Sequence, residues 1–136
     1  MTITTHNEDE TVDAAIDLAS TLREGDVVLL FGDLGAGKTA FTRGLAIGLG
    51  AAAEDVSSPT FTIMQEYRGG RLPLFHVDLY RLDDPREIED LGLDELAVDG
   101  VLAIEWADKL PRPIAGAVSV RLAHGEKDTR IIEIED

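Results

Sequence analysis

The sequence predicts a single α/β domain whose sheet mixes parallel and antiparallel strands and is flanked by helices. The 136 residues have the length of one compact domain, so we expect one domain over 1–136. Two short segments, 27–31 and 101–107, the second of which begins with the apolar run 101–104, are typical of strands buried on both faces of a parallel sheet. Glycine-containing turns at 68–71 and 124–125 each separate two β-prone segments, which indicates antiparallel hairpins.

The N-terminal third predicts a helix, a strand and a second helix, in that order. Asn7 followed by Glu10 resembles a capping box, and apolar residues then recur at helical spacing, which predicts a helix over roughly 8–23. The apolar strand 27–31 follows. A second helical stripe ends at Gly50, a residue type that commonly terminates helices. Its apolar members are Phe41, Leu45, Ala46 and Leu49.

The remaining chain predicts two hairpins with a helix and a strand between them. Residues 51–59 have the composition of a loop, and the β-prone segments 60–67 and 72–80 form the first hairpin. A helix that starts with proline is expected over 85–97, before the apolar strand 101–107. Alternating apolar and polar residues predict a closing hairpin at about 117–135.

Composition excludes several classes of protein. The absence of cysteine excludes disulfide frameworks and zinc–thiolate sites. No apolar run approaches the roughly 20 residues that span a bilayer, and the polar start does not resemble a signal peptide, so we expect a soluble, cytoplasmic protein without membrane contact. A formal net charge of −15 disfavours direct nucleic-acid binding and favours either solubility or attraction to a basic partner.

A phosphate-binding pattern lies between the first predicted strand and the second helix. Residues 32–39, GDLGAGKT, satisfy G-x-x-x-x-G-K-[ST] in a strand–turn–helix context. The glycines let backbone N–H groups turn toward a phosphate, and the helix N-terminus adds partial positive charge. We expect Lys38 to reach the β- and γ-phosphates and the Thr39 hydroxyl to bind Mg²⁺. The predicted nucleotide-binding residues are Asp33, Leu34, Gly35, Ala36, Gly37, Lys38, Thr39 and Ala40.

The loop alone does not identify the reaction. The guanine-reading pattern Asn-Lys-x-Asp does not occur, which favours ATP over GTP. A carboxylate at a strand end is needed to hold Mg²⁺ or to orient the attacking water. Glu105 ends one apolar run, and Asp78 ends another that His76 interrupts. The residues alone do not rank these two acids.

Two further features qualify as site candidates. The segment 57–60, Ser-Ser-Pro-Thr, brings hydroxyl groups to a loop that could sense the γ-phosphate, although these are also ordinary turn residues. Trp106, the only tryptophan, directly follows Glu105. It could be a core residue, a gate to the site or a contact for a partner.

Five motifs together resemble the TsaE (YjeE) family, the bacterial ATPases required for threonylcarbamoyladenosine modification of tRNA. The resemblance covers about residues 8–107 and keeps the order and spacing of the family motifs. The motifs are GDLGAGKT at 32–39, SSPTFTI at 57–63, HVDLYRL at 76–82, DPREIEDLGLDEL at 84–96 and IEW at 104–106.

The resemblance implies a P-loop NTPase-like domain that uses ATP and Mg²⁺. By motif match, Thr39 and Glu105 would bind Mg²⁺, and Asp78 would be the catalytic carboxylate near the γ-phosphate. Thr60 would match the family's switch-like threonine and, with Lys38 and Asp78, complete the catalytic set.

The resemblance also implies partners. They would be the threonylcarbamoyl transferase subunit TsaD and its companion TsaB, so tRNA would be met only through the complex. Trp106 would match a position tied to activity or partner contact, and Thr11 would lie near the nucleotide at the start of the first helix. A strongly acidic accessory ATPase is compatible with another subunit holding the RNA.

Three functions remain after these arguments. An ATPase that turns over in support of the transferase, without being the transferase, is favoured. A small-molecule kinase could use the same loop, with Asp78 as the base toward a hydroxyl acceptor. A module that binds ATP as a structural switch without hydrolysing it is the third.

Overall fold

A computed structural model describes residues 1–33, 35–51 and 64–136. It contains a seven-stranded sheet in the order β1-β7-β6-β2-β5-β4-β3. The strands are β1 (Thr2–Thr5), β2 (Val27–Phe31), β3 (Met64–Tyr67), β4 (Leu74–Asp78), β5 (Val101–Glu105), β6 (Val118–His124) and β7 (Arg130–Glu135). The four central strands β6, β2, β5 and β4 run parallel, and the pairs at both edges are antiparallel. The predicted mixed sheet is confirmed.

Helices cover both faces of the sheet and enclose two separate cores. They are α1 (Glu8–Ala19), α2 (Lys38–Leu49), α3 (Pro85–Glu89) and α4 (Leu93–Leu96). Helices α1 and α2 pack with Val28 and Leu30 of β2 on one face. Helices α3 and α4 pack with Val27 and Leu29 on the opposite face. Strand β2 is therefore apolar throughout because both of its faces are buried. Among the described residues, no helix is long and apolar enough to cross a membrane.

Two glycines of α2 allow helices α1 and α2 to approach closely. A Cβ built on Gly44 would lie 2.3 Å from the Val12 carbonyl oxygen and 2.5 Å from the Ala15 Cβ. One built on Gly48, a turn later, would lie 2.5 Å from the Ala19 Cβ. A larger residue at either position would push the helices apart. Because α2 begins at the phosphate-loop pattern, this contact also fixes the position of the loop.

The helix predicted over 85–97 is wrong as a single element. Helix α3 ends at Glu89, and Gly92 adopts a left-handed conformation with φ 65° before α4 begins. Residues 97–99 form a 3-10 turn instead of continuing α4. Glycine favours this left-handed geometry, so Gly92 redirects the chain within the segment that was predicted as one helix starting with proline.

The first helix is four residues shorter than the prediction over 8–23, because it ends at Ala19. The hydroxyls of Ser20 and Thr21 donate hydrogen bonds to helix carbonyls at 2.7 Å each. At the other end, the Asn7 side chain accepts from the Glu10 N–H at 2.8 Å, as a cap should. The Glu10 carboxylate instead accepts from the backbone and ring of His6.

Strand β1 was not predicted. It pairs with β7 in register from Thr2 opposite Glu133 to Thr5 opposite Arg130. Its only apolar side chain is Ile3, so hydrophobic patterning gives no signal. The available signal is the run of β-branched residues, which favours strand conformation. The predicted loop 51–59 lies largely, and residues 60–63 of the next predicted strand wholly, outside the described residues.

Replacing Gly44 with alanine should destabilise the domain. In an exposed helix the same change stabilises by about 0.5–1 kcal/mol, because glycine loses more backbone entropy. Here the added methyl group meets the α1 backbone, and overpacking of this kind costs about 1–3 kcal/mol. Urea unfolding should show a lower midpoint with an unchanged slope. A midpoint raised above that of the wild type would contradict the close packing.

Candidate functional site

The carboxyl ends of the parallel strands bring the two candidate acids together. In the pairing of β4 with β5, Asp78 lies opposite Glu105, and in the pairing of β2 with β5, Leu30 lies opposite Glu105. The chain after β2 becomes the phosphate-loop pattern. Ends of parallel strands are the usual ligand site of such sheets. Asp78 and Glu105 therefore face the same space as the start of α2.

Lys38 is buried in the phosphate-loop pattern, with 5% of its surface exposed. Its ammonium donates to the carbonyl oxygen of Gly32 and, at 2.9 Å, to that of Asp33. The loop thus curls around the lysine Nζ. Gly37 precedes the helix with φ 107°, and no side chain of the described residues caps the helix. The first N–H groups of α2 consequently lack the side-chain acceptor that Asn7 supplies to α1.

Strand β6 and strand β7 support the loop from behind. A Cβ on Gly32, whose φ is 154°, would lie 2.6 Å from the Leu122 carbonyl oxygen, so only glycine fits this close approach. The Arg130 Nη2 donates to the Gly35 carbonyl oxygen at 3.4 Å. The Ala36 N–H donates to the Asp33 carbonyl at 3.0 Å and closes the turn. On its outer side, the loop therefore contacts the backbone of β6 and the side chain of Arg130 on β7.

Burial shifts the titration of the two central charges in opposite senses. Desolvation lowers the pKa of Lys38, while the charges of Glu105 and Asp78 oppose that shift. Desolvation also raises the pKa of Asp78, and repulsion from Glu105 adds to it. The N–H of Tyr80, which donates to the Asp78 carboxylate at 2.9 Å, works in the other direction. Both pKa shifts have the same largest cause, burial, which disfavours the charged form of each side chain.

Trp106 covers Lys38. The Lys38 Nζ lies 4.1 Å from the centroid of the indole ring, a cation–π contact. Trp106 itself has φ 58°, one of two non-glycine residues with positive φ in the described chain. Its ring packs on Tyr80 with centroids 5.1 Å apart. Tyr80 is 52% exposed, so an aromatic surface lies beside the acids and faces solvent.

Thr11 supports the loop from below, and its contact with a nucleotide stays a prediction. It is 2% exposed, and its hydroxyl lies 2.8 Å from that of Thr5. A Cβ on Gly37 would lie 3.7 Å from the Thr11 methyl group, which places Thr11 directly under the loop. Thr39 and Ala40 occupy the first turn of α2, where the motif requires them. Leu34 and Thr60 lie outside the described residues.

The acids suit a metal ion that is shared with a ligand. Within the described parts of the chain, no group of three or more His, Cys, Asp or Glu is arranged to hold a metal alone. Mg²⁺ commonly takes one or two carboxylates, and phosphate oxygens complete its shell. Glu105, which is 3% exposed, Asp78 and the hydroxyl of Thr39 fit that requirement.

Two residues of the site were not assigned by sequence reasoning. His76, which was noted as an interruption of an apolar strand and as part of the motif at 76–82 but given no role, is fully buried and contacts the Glu105 carboxylate through Nε2. That interruption was itself the available signal. Tyr80 completes the aromatic surface with Trp106, and nothing in the sequence distinguished it from other residues of the turn.

Replacing Asp78 with asparagine should stabilise the protein in the absence of ligand. The pKa of Asp78 is raised on folding, so the stability of the wild type decreases as the pH rises through that pKa. Asparagine keeps an acceptor for the Tyr80 N–H but carries no charge. At pH 7 the melting temperature should rise, and the gain should vanish in acid, where Asp78 is protonated in both the folded and the unfolded state.

The matched control for that change is Asp13→Asn. Asp13 is exposed on α1, away from the site, so the Asp13→Asn substitution removes the same unit of charge from the surface. A thermal scan of both variants separates the local effect from the reduced net charge. Equal melting temperatures for the two variants at pH 7 would contradict the analysis of Asp78.

Comparisons with known proteins identify the family of the chain and agree with its fold. The family model described as "Threonylcarbamoyl adenosine biosynthesis protein TsaE" matches residues 5–132. A relative named tRNA threonylcarbamoyladenosine biosynthesis protein TsaE from Nostoc sp. is 41% identical over 133 residues, covering 94% of this chain and 81% of the relative. The Bacillus subtilis protein of the same name is 47% identical over 129 residues, covering 91% of this chain and 80% of the relative.

A solved structure gives the same result for the fold. The crystal structure of YdiB from Bacillus subtilis superposes with a TM-score of 0.75 at 39% identity, covering 97% of this chain and 82% of that one. The family match spans all of the site residues described above, from Thr11 to Glu105 and Trp106. The chain belongs to the TsaE family.

Proposed function

We propose that this chain binds ATP with Mg²⁺ and hydrolyses it in support of the formation of threonylcarbamoyladenosine on tRNA. The observation that carries the proposal is the buried Lys38 ammonium, which is surrounded by loop carbonyls beside an uncapped helix start and two strand-end carboxylates. A polyphosphate offers this lysine and these N–H groups the anionic oxygens they lack. The relatives' printed names supply the pathway.

The residues of the chain divide the work between them. Lys38 leaves the carbonyls of Gly32 and Asp33 and neutralises the β- and γ-phosphates. Thr39 and Glu105 would hold Mg²⁺, which would supply charge neutralisation at the transferring phosphoryl group. Asp78 would orient the attacking water and accept its proton. Thr60 is expected to sense the γ-phosphate from its loop.

Partner proteins complete the reaction. The aromatic surface of Tyr80 and Trp106 lies beside Asp78, and we propose that docking of the transferase subunit TsaD or its companion TsaB covers it. Covering this surface would exclude bulk water from the acids and strengthen the electrostatic interactions of the site. A net charge of −15 is compatible with tRNA being held by the partners and not by this chain.

The small-molecule kinase is not favoured. The family match and the relatives' names point to a tRNA modification pathway and not to a phosphorylated metabolite. A chain that holds ATP without hydrolysing it is distinguished by the following experiments.

ATP turnover of the chain should depend on its partners. We expect slow release of phosphate by the chain alone and at least about a tenfold increase with TsaD and TsaB, because docking excludes water and orders the site. Phosphate release measured at saturating Mg²⁺ tests this, and the products should contain no phosphorylated acceptor. Fast turnover that is insensitive to the partners would contradict partner activation, and no turnover with them would favour the binding module.

Lys38→Ala should abolish turnover because it removes the positive side chain that faces the phosphates. Loss of a single stabilising donor in a transition state costs about 10²–10³ in rate, and a loss at least that large is expected. The control is Arg43→Ala on the same helix, whose guanidinium pairs with Glu8 at 2.6 Å away from the loop. Calorimetry with ATP and phosphate release should both be near wild type for the control. Wild-type binding and turnover in Lys38→Ala would refute the assignment of the loop.

A further inference from the structure

Among the described residues, His76 and Thr42 are the two polar side chains with no exposed surface, and His76 is the one that can carry a charge; the proposed chemistry does not use it. It lies in the middle of β4, between the apolar residues Phe75 and Val77, and has no exposed surface. An apolar residue would fill this position without loss of hydration. Burying an imidazole is unfavourable unless it is hydrogen-bonded. The position therefore requires a specific reason for histidine.

Among the described residues, the imidazole makes one polar contact, with the Glu105 carboxylate. His76 pairs with Ala103 in the sheet, two residues before the pairing of Asp78 with Glu105, so its ring lies beneath the strand end. Nε2 contacts Oε2 of Glu105. Because a carboxylate accepts hydrogen bonds only, Nε2 is the donor. Nδ1 has no hydrogen-bond partner within the described residues, so stability of the imidazole alone does not explain its burial.

The other oxygen of Glu105 is left available. No hydrogen bond to Oε1 occurs among the described residues, although Glu105 is only 3% exposed. A glutamate has several rotatable bonds, and an unrestrained carboxylate would sample several directions. The Nε2–H of His76, which is fixed in the sheet, holds Oε2 of Glu105 and leaves Oε1 at the carboxyl ends of the parallel strands, where Asp78 and the loop meet. Hydrogen-bonded carboxylate ligands are a general feature of metal sites.

We propose that His76 is a positioning residue for Glu105: its Nε2–H holds Oε2, so that Oε1 is directed at the metal ion of the bound nucleotide. This inference rests on the proposed function of the site as a Mg²⁺–nucleotide site. It assigns His76 no contact with the nucleotide or the metal. The burial of His76 is then explained by the metal affinity that it provides and not by its contribution to folding.

The test compares two substitutions of similar length. His76→Gln keeps an N–H donor near the position of Nε2, whereas His76→Met fills similar space with no donor. Mn²⁺ serves as the probe, and its binding to the protein saturated with ADP is measured by electron paramagnetic resonance without any turnover. Calorimetry with ADP in the presence of EDTA measures nucleotide affinity separately. Circular dichroism establishes that each variant is folded.

We expect His76→Met to weaken Mn²⁺ binding about 10–100-fold, the range found for residues that support metal ligands. His76→Gln should restore most of that loss, and both variants should bind ADP in EDTA like the wild type. If His76→Met does not fold, His76→Asn replaces it, because its shorter amide does not reach Glu105 and it should show the same loss.

Two results would overturn the positioning role. One is wild-type Mn²⁺ affinity in the variant without a donor. The other is an equal loss in the glutamine and methionine variants, which would indicate a packing role alone. Failure of the proposed function is distinguished by the wild-type protein itself, which would then bind neither ADP nor Mn²⁺ in the presence of ADP.

Discussion

The parallel register of β4 against β5 is the constraint on which the site depends. It sets Asp78 opposite Glu105 and puts His76 on the same side of β4 as Asp78, two residues earlier. A slip of one residue would turn His76 and Asp78 to the opposite face, toward α3 and α4, and separate them from Glu105. The register is secured because Leu74 belongs to one core and Phe75 and Val77 to the other. Hydrophobic burial on both faces thus determines the geometry of the charged groups.

The second constraint is the placement of α2. Its N-terminus meets the strand ends because β2 leads directly into the loop, and its axis is fixed by the close contact of Gly44 with α1. Thr11, which lies beneath Gly37, belongs to that same helix α1. The packing of α1 against α2 therefore supports the position of the loop through Gly44, which lets the helices approach, and through Thr11, which contacts Gly37.

Local features of the fold could be predicted from the sequence, and non-local ones could not. The bounds of β2 follow from its continuous apolar run, and the buried stripe of α2 follows from its helical spacing, because these residues are buried as the two patterns imply. Strand β1 exists through its pairing with β7, and no property of Thr2–Thr5 alone requires it. The break at Gly92 has a local signal, a glycine within the segment predicted as one helix, but an isolated glycine is tolerated in many helices and does not by itself predict a break.

The same division between local features, which the sequence predicts, and non-local ones, which it does not, holds for the site. Spacing within 32–39 predicts the loop, whereas the contact of His76 with Glu105 depends on sheet order, which a single sequence does not reveal.

In the protein without ligand, Lys38 is desolvated and Asp78 lies in a site that disfavours its charge. A polyphosphate would stabilise the ammonium, and a divalent cation would stabilise the carboxylates. A ligand that carries both relieves two unfavourable terms at once, and neither component alone does so. Such a site should therefore bind the metal and the nucleotide cooperatively, because each removes the repulsion that the other would meet.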